Sequence, residues 1–105
     1  MSTLSTHVLD TALGKPAAGI RVTLERADGE TVGTGVTDSD GRVRDLPPLR
    51  TGEYRLRFAV AEYFATIRRD TFYSEIVIAF RVATDEHYHV PLLLSPFGYS
   101  TYRGS

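Results

Sequence analysis

Apolar residues recur along this chain with a period of two. Ile20, Val22 and Leu24 alternate with Arg21, Thr23 and Glu25, and Tyr54, Leu56 and Phe58 alternate with Arg55 and Arg57. Ile76, Ile78, Phe80 and Val82 share one side of a third run; Tyr88, Val90, Leu92 and Leu94 share one side of a fourth. Successive side chains of a strand point to opposite faces, so each run predicts a strand with one apolar face. Turn residues punctuate the runs. Gly14-Lys15-Pro16 ends a first strand near residues 4–10, and Asp28-Gly29 is a hairpin dipeptide leading to a strand near 31–37. Asp38-Ser39-Asp40-Gly41 and Pro47-Pro48 through Gly52 mark two more turns. Strands at this spacing predict an all-β sandwich, each sheet giving one face to a shared core.

One segment departs from that period. Residues 59–67 hold good helix formers and no Gly or Pro, with Val60, Tyr63, Phe64 and Ile67 at i, i+3, i+4 and i+7. That stripe predicts one short surface helix between two strands. No internal repeat or linker divides the chain, so residues 1–105 read as a single domain.

Composition narrows the chemistry. A chain of 105 residues buries roughly 65% of the surface its unfolded form exposes, and 42% hydrophobic residues supply a core without staples. The absence of Cys excludes disulfides, thiol nucleophiles and thiolate metal sites. Twelve basic and thirteen acidic side chains give a net charge of −1, without the basic excess that phosphate contacts need, so no nucleic-acid partner is expected. The longest apolar runs, near 76–80 and 90–94, are too short for a bilayer, and no membrane partner is expected. The opening residues carry neither a basic cluster nor an apolar run, so the expected location is the cytosol. Arg appears eleven times and Lys once, which favours planar, forked recognition of flat polar groups.

Three histidines are the scarce reagents: His7, His87 and His89. Imidazole is the side chain that titrates nearest neutrality, and it serves as proton shuttle or metal ligand. In an extended segment His87 and His89 share a face, opposite Val90, Leu92 and Leu94. With a third ligand they would suit a metal; without one they read as a polar strand face. Arg42 follows the turn at 38–41, where a side chain reaches a pocket from a loop edge. The last eight residues, Gly98 to Ser105, carry two Tyr, an Arg and several hydroxyls and predict a docked terminal strand. Regular alternation would put Thr101, Arg103 and Ser105 on one face and Tyr102 and Gly104 on the other.

Several separated strings carry a family resemblance. They are Leu4-Ser5-Thr6-His7-Val8-Leu9-Asp10 with Gly14-Lys15-Pro16-Ala17, then Thr37-Asp38-Ser39-Asp40-Gly41-Arg42, then His87-Tyr88-His89-Val90-Pro91-Leu92-Leu93-Leu94-Ser95-Pro96, and the closing Tyr102-Arg103-Gly104-Ser105. Together, from end to end, they resemble the transthyretin-like 5-hydroxyisourate hydrolase family of urate catabolism. The resemblance implies a sandwich of two four-stranded sheets with one short helix, and a homotetramer built as a dimer of dimers, with sites at the dimer–dimer interface. It implies catalytic roles for His7, Arg42, His89 and Ser105, and substrate binding by Arg42, Tyr102, Arg103, Gly104 and Ser105. His87 has no role carried over.

The implied substrate is a flat, oxidised purine whose ring is opened by water, with no cofactor and no metal. His7 and His89 would orient and deprotonate the water, either serving as the base, while Arg42 and Arg103 would fork onto substrate oxygens. Ser74 stands where the family more often has Pro, which bears on that loop alone. The same fold also serves as a small-ligand carrier. An apolar channel lacking the His, Arg and terminal tetrapeptide set would mark a carrier.

Overall fold

The computed structural model describes residues 1–105. Nine strands and one helix follow in the order β1 (Thr3–Asp10), β2 (Lys15–Pro16), β3 (Arg21–Arg26), β4 (Thr31–Val36), β5 (Arg42–Val43), β6 (Gly52–Phe58), α1 (Val60–Thr66), β7 (Ile76–Val82), β8 (His87–Ser95) and β9 (Gly98–Thr101). The second sheet runs β4-β3-β6-β7, antiparallel throughout. The first runs β2-β1-β8-β9, with β5 also pairing β1. It therefore has five strands where four were expected. The extra piece is β5, two residues long, which shares the free edge of β1 with β2.

The defining contact is the parallel pairing of β1 with β8, which sets Ser5 opposite His89 and His7 opposite Pro91. Alternation along β1 buries Leu4, Thr6, Val8 and Asp10 and leaves Ser5, His7 and Leu9 half-buried on the other face. The inward sets of both sheets meet in one core that includes Val8, Val22, Leu24, Leu56, Phe58, Ile76, Leu92 and Leu94, all essentially inaccessible. Each such side chain contributes about 1.5–3 kcal/mol by leaving water. The helix spans 60–66 within the predicted 59–67, and its stripe of Val60, Tyr63 and Phe64 is buried with Ile67 half-buried behind it. The carbonyl of Ser74, the residue at the departing position, accepts a hydrogen bond from the Ala61 N–H at the start of this helix.

The terminal strand stops earlier than alternation predicts. β9 ends at Thr101, yet Gly104 still pairs with His89, in the register that joins Leu92 to Thr101. Pro91 explains the gap. It has no N–H to give the ladder, and its carbonyl is taken by the Thr101 hydroxyl at 2.7 Å. Tyr102 and Arg103 therefore lie outside the ladder, which resumes with the Gly104 N–H donating to the His89 carbonyl at 2.8 Å.

Candidate active site

Three strands deliver His7, Arg42 and His89 to the outer face of the first sheet. His7 and Arg42 are direct partners between β1 and β5, and His89 lies on β8 opposite Ser5, two residue pairs along from His7 and on the same face. All three are half-buried. Arg42 is placed by the preceding turn. The Asp38 carboxylate accepts from the N–H groups of Asp40 (2.9 Å) and Arg42 (3.0 Å), and these bonds, the Arg42 one foremost, hold its carboxyl below the usual range. Gly41 closes the turn at φ +74°, and a Cβ there would lie 2.4 Å from the Val8 carbonyl oxygen. Only glycine lets β5 approach β1 this closely.

The face is electropositive. Arg42 has no carboxylate partner, whereas its neighbour Arg44 pairs with Asp38 and Asp40. His89 is pushed below its ordinary value of 6.5, first by burial and then by the charges of Arg42, His7 and His87, against a weaker opposing hydrogen bond to the Ser5 backbone. A neutral imidazole at physiological pH is a competent proton acceptor. Its ring is further fixed by the tail. A Cβ on Gly104 would lie 2.5 Å from His89 Cδ2 and 3.2 Å from Pro91 Cγ, so the C-terminal segment can lie flat on the His89 ring only because residue 104 has no side chain.

Ser5 and His87 complete the cluster. The Ser5 hydroxyl is 2.7 Å from His89 Nδ1 and 2.9 Å from His87 Nε2, and His87 Nδ1 is 2.6 Å from the Thr3 hydroxyl. Sequence reasoning placed His87 beside His89 but gave it no part. Ser5 and Thr3 had no role in that reading; the parallel register that brings them to β8 joins residues more than eighty apart. The two same-face His find no third metal ligand, since no group of three or more His, Asp or Glu side chains gathers as a metal site.

The fourth expected group, Arg103, lines one cavity with His89. The Arg103 guanidinium pairs with Glu86 and stacks 4.7 Å over the ring of Tyr88, which points to the core side of β8, away from His89. Tyr102 and Ser105 are exposed beside it. Two cavities flank the site. One, of about 320 Å³, is lined by Thr3, Ser5, Arg42, Arg44 and His87; the other, of about 280 Å³, lies among Ile78, Phe80, Tyr88, His89, Tyr102 and Arg103. Neither holds His7 and His89 together. A wider depression of about 500 Å³ at Arg26, Asp28, Arg50 and Glu53 holds no His and lies on the other sheet.

Fold and site together define a small β-sandwich bearing a solvent-facing imidazole and guanidinium constellation equipped for acid–base chemistry. The chain belongs to the HIUase/Transthyretin family, whose model matches residues 4–104. A 5-hydroxyisourate hydrolase of Salmonella dublin is 50% identical, over 97% of this chain and 80% of that protein. The solved 5-hydroxyisourate hydrolase of Klebsiella pneumoniae superposes with a TM-score of 0.93 at 43% identity, covering both chains fully. Sea bream transthyretin, solved in complex with thyroxine, superposes at 0.91 with 30% identity, over 96% of this chain and 93% of that one.

Proposed function

We propose that this protein hydrolyses 5-hydroxyisourate to 2-oxo-4-hydroxy-4-carboxy-5-ureidoimidazoline in urate catabolism. It is a hydrolase acting on a cyclic amide-type C–N bond. The carrying observation is the convergence of His7, Arg42 and His89 on one polar face, with His89 held neutral. A water placed between the two imidazoles loses a proton to one of them as its oxygen bonds to the ring carbonyl carbon. The Arg42 guanidinium, free of any carboxylate, stabilises the oxyanion that develops there. Collapse of the tetrahedral species breaks the ring C–N bond, and the imidazolium returns its proton to the leaving nitrogen. The products are a carboxylate and a ureido N–H, and no electron leaves the system.

The tail supplies the rest of the pocket. Gly104 packs on His89, Ser105 hydrogen-bonds the water or the substrate, and Tyr102 walls the ring. Arg103 reaches substrate by exchanging its Glu86 partner for a substrate oxygen. The site is shallow on one chain, which supports assembly as a homotetramer, a dimer of dimers that roofs the face with a neighbouring subunit. The 105 residues act as one domain, in the cytosol, without cofactor; no helix is long and apolar enough to cross a membrane.

The test follows ultraviolet absorbance while an added urate oxidase generates the unstable intermediate. Its decay should accelerate when this protein is present. Identical decay with and without it would refute the assignment, and thyroxine-type binding without turnover would make the protein a carrier instead.

A further inference from the structure

His87 lies outside the reacting trio, yet both its ring nitrogens are engaged and one of them leads to His89 through a single hydroxyl. The chain of contacts is Thr3 Oγ1 to His87 Nδ1 at 2.6 Å, His87 Nε2 to Ser5 Oγ at 2.9 Å, and Ser5 Oγ to His89 Nδ1 at 2.7 Å. A serine hydroxyl has one proton to donate, so Ser5 cannot donate to both rings. A neutral imidazole carries its proton on one nitrogen, and the partner of the other decides which.

We propose that His87 is a positioning residue that sets the tautomer of His89 through Ser5. With His87 neutral, its Nδ1–H donates to Thr3 and its Nε2 accepts the Ser5 proton. Ser5 then accepts from His89 Nδ1–H, which leaves the His89 Nε2 lone pair bare toward the outer face, where a water can lose its proton to it. Every donor in the chain has one acceptor. If His87 takes a second proton, its Nε2–H donates to Ser5. Ser5 must then turn its own proton onto His89 Nδ1, the His89 proton moves to Nε2, and the basic lone pair disappears from the site.

The relay assigns the general base, which the sequence left open between His7 and His89, and it rests on the hydrolase reading. The charged and titratable groups facing the two rings are His7 of β1, Arg42 of β5, Arg44 just after β5, and the Arg103–Glu86 pair beside the tail. The nearest of these, His7 and Arg42, are cationic or able to become so. They oppose protonation of His89, as its depressed value shows, and leave the hydroxyl relay to direct the remaining proton.

The experiment combines two-bond proton–nitrogen correlation spectra of the imidazoles with steady-state kinetics on the full chain. In the wild type above the imidazole titration range, His89 should carry its proton on Nδ1. His87→Phe removes the acceptor for Ser5 and should move that proton to Nε2, with kcat falling about ten- to a hundredfold, the range typical of partners that orient a functional His, and KM unchanged. His87→Gln, whose carbonyl can accept from Ser5, should restore the Nδ1 tautomer and most of kcat. Ser5→Ala, which keeps both rings, should reproduce the His87→Phe loss. The proposal is overturned if wild-type His89 carries its proton on Nε2, or if His87→Phe keeps both tautomer and kcat. If His87→Phe does not fold, the wild-type spectrum and Ser5→Ala still decide. A wild type that shows the relay but leaves 5-hydroxyisourate untouched would sink the hydrolase reading alone.

Discussion

Strand β1 carries a polar cluster at each end, and the two are built to opposite specifications. At its C-terminal end Asp10 is wholly buried, and its carboxylate is saturated by the N–H groups of Ala12 and Leu13 at 3.1 Å, the Tyr63 hydroxyl at 2.7 Å and Arg69 Nη1 at 2.9 Å. Burial, together with the facing Asp10 carboxylate, pushes the Tyr63 hydroxyl well above its ordinary range, so it stays a donor. Arg68, at φ +57°, ends the helix turn and throws Arg69 back onto this carboxylate. At the other end Ser5 and His7 are half-buried, the charges acting on His89 are of one sign, and Arg42 has no carboxylate partner. A buried charge with every lone pair engaged braces a fold. An accessible cluster with unused donors and an uncompensated guanidinium has capacity left for a substrate.

Breaking each end separately should produce opposite phenotypes. His89→Ala removes the base and should lower kcat/KM by about a hundred- to ten-thousandfold, while thermal unfolding of the purified variant stays close to wild type. Asp10→Ala leaves Arg69 and the Tyr63 hydroxyl without their acceptor and should cost about 3–5 kcal/mol in denaturant unfolding, while turnover per folded molecule is kept. If Asp10→Ala folded normally and were inactive, the division between the two ends would be wrong. Arg42→Ala should lower kcat about a hundred- to a thousandfold, as expected for loss of one oxyanion donor, with little change in stability. Gly104→Ala is gentler: the added methyl lifts the tail off His89, and a displacement on the scale of 1 Å should cost up to about a hundredfold in kcat.

The smallest effect is on pH. The depressed His89 keeps its neutral form to lower pH than an ordinary imidazole, so with His87 replaced by Gln the acid limb of kcat/KM should lie below 6.5. In the same window the unfolded chain binds the extra proton and the folded chain does not, so stability should rise with pH there and fall as pH drops. An acid limb above 6.5 in His87→Gln, where no second ring can reverse the relay, would contradict a neutral, desolvated His89.

The strands and the helix were legible because their signals are local. Period-two alternation marked β3, β6, β7 and β8, and the i, i+3, i+4, i+7 stripe marked α1 to within a residue at each end. The two-residue strands β2 and β5 were not, because two residues carry no period; they exist only where β1 offers a free edge. His7, Arg42 and His89 were named through the family resemblance, and the structure brings those three to one face. Arg103, expected with them, pairs with Glu86 and stacks on Tyr88 while lining a cavity with His89.

The amino-acid order alone thus determined which faces are apolar, where the chain turns and which reagents it owns, since each depends on neighbours a few residues apart. Tertiary structure decided which reagents share a proton. A hydroxyl at position 5 and imidazoles at 87 and 89 become partners only through the parallel pairing of β1 with β8, and a contact spanning eighty residues leaves no period in the sequence.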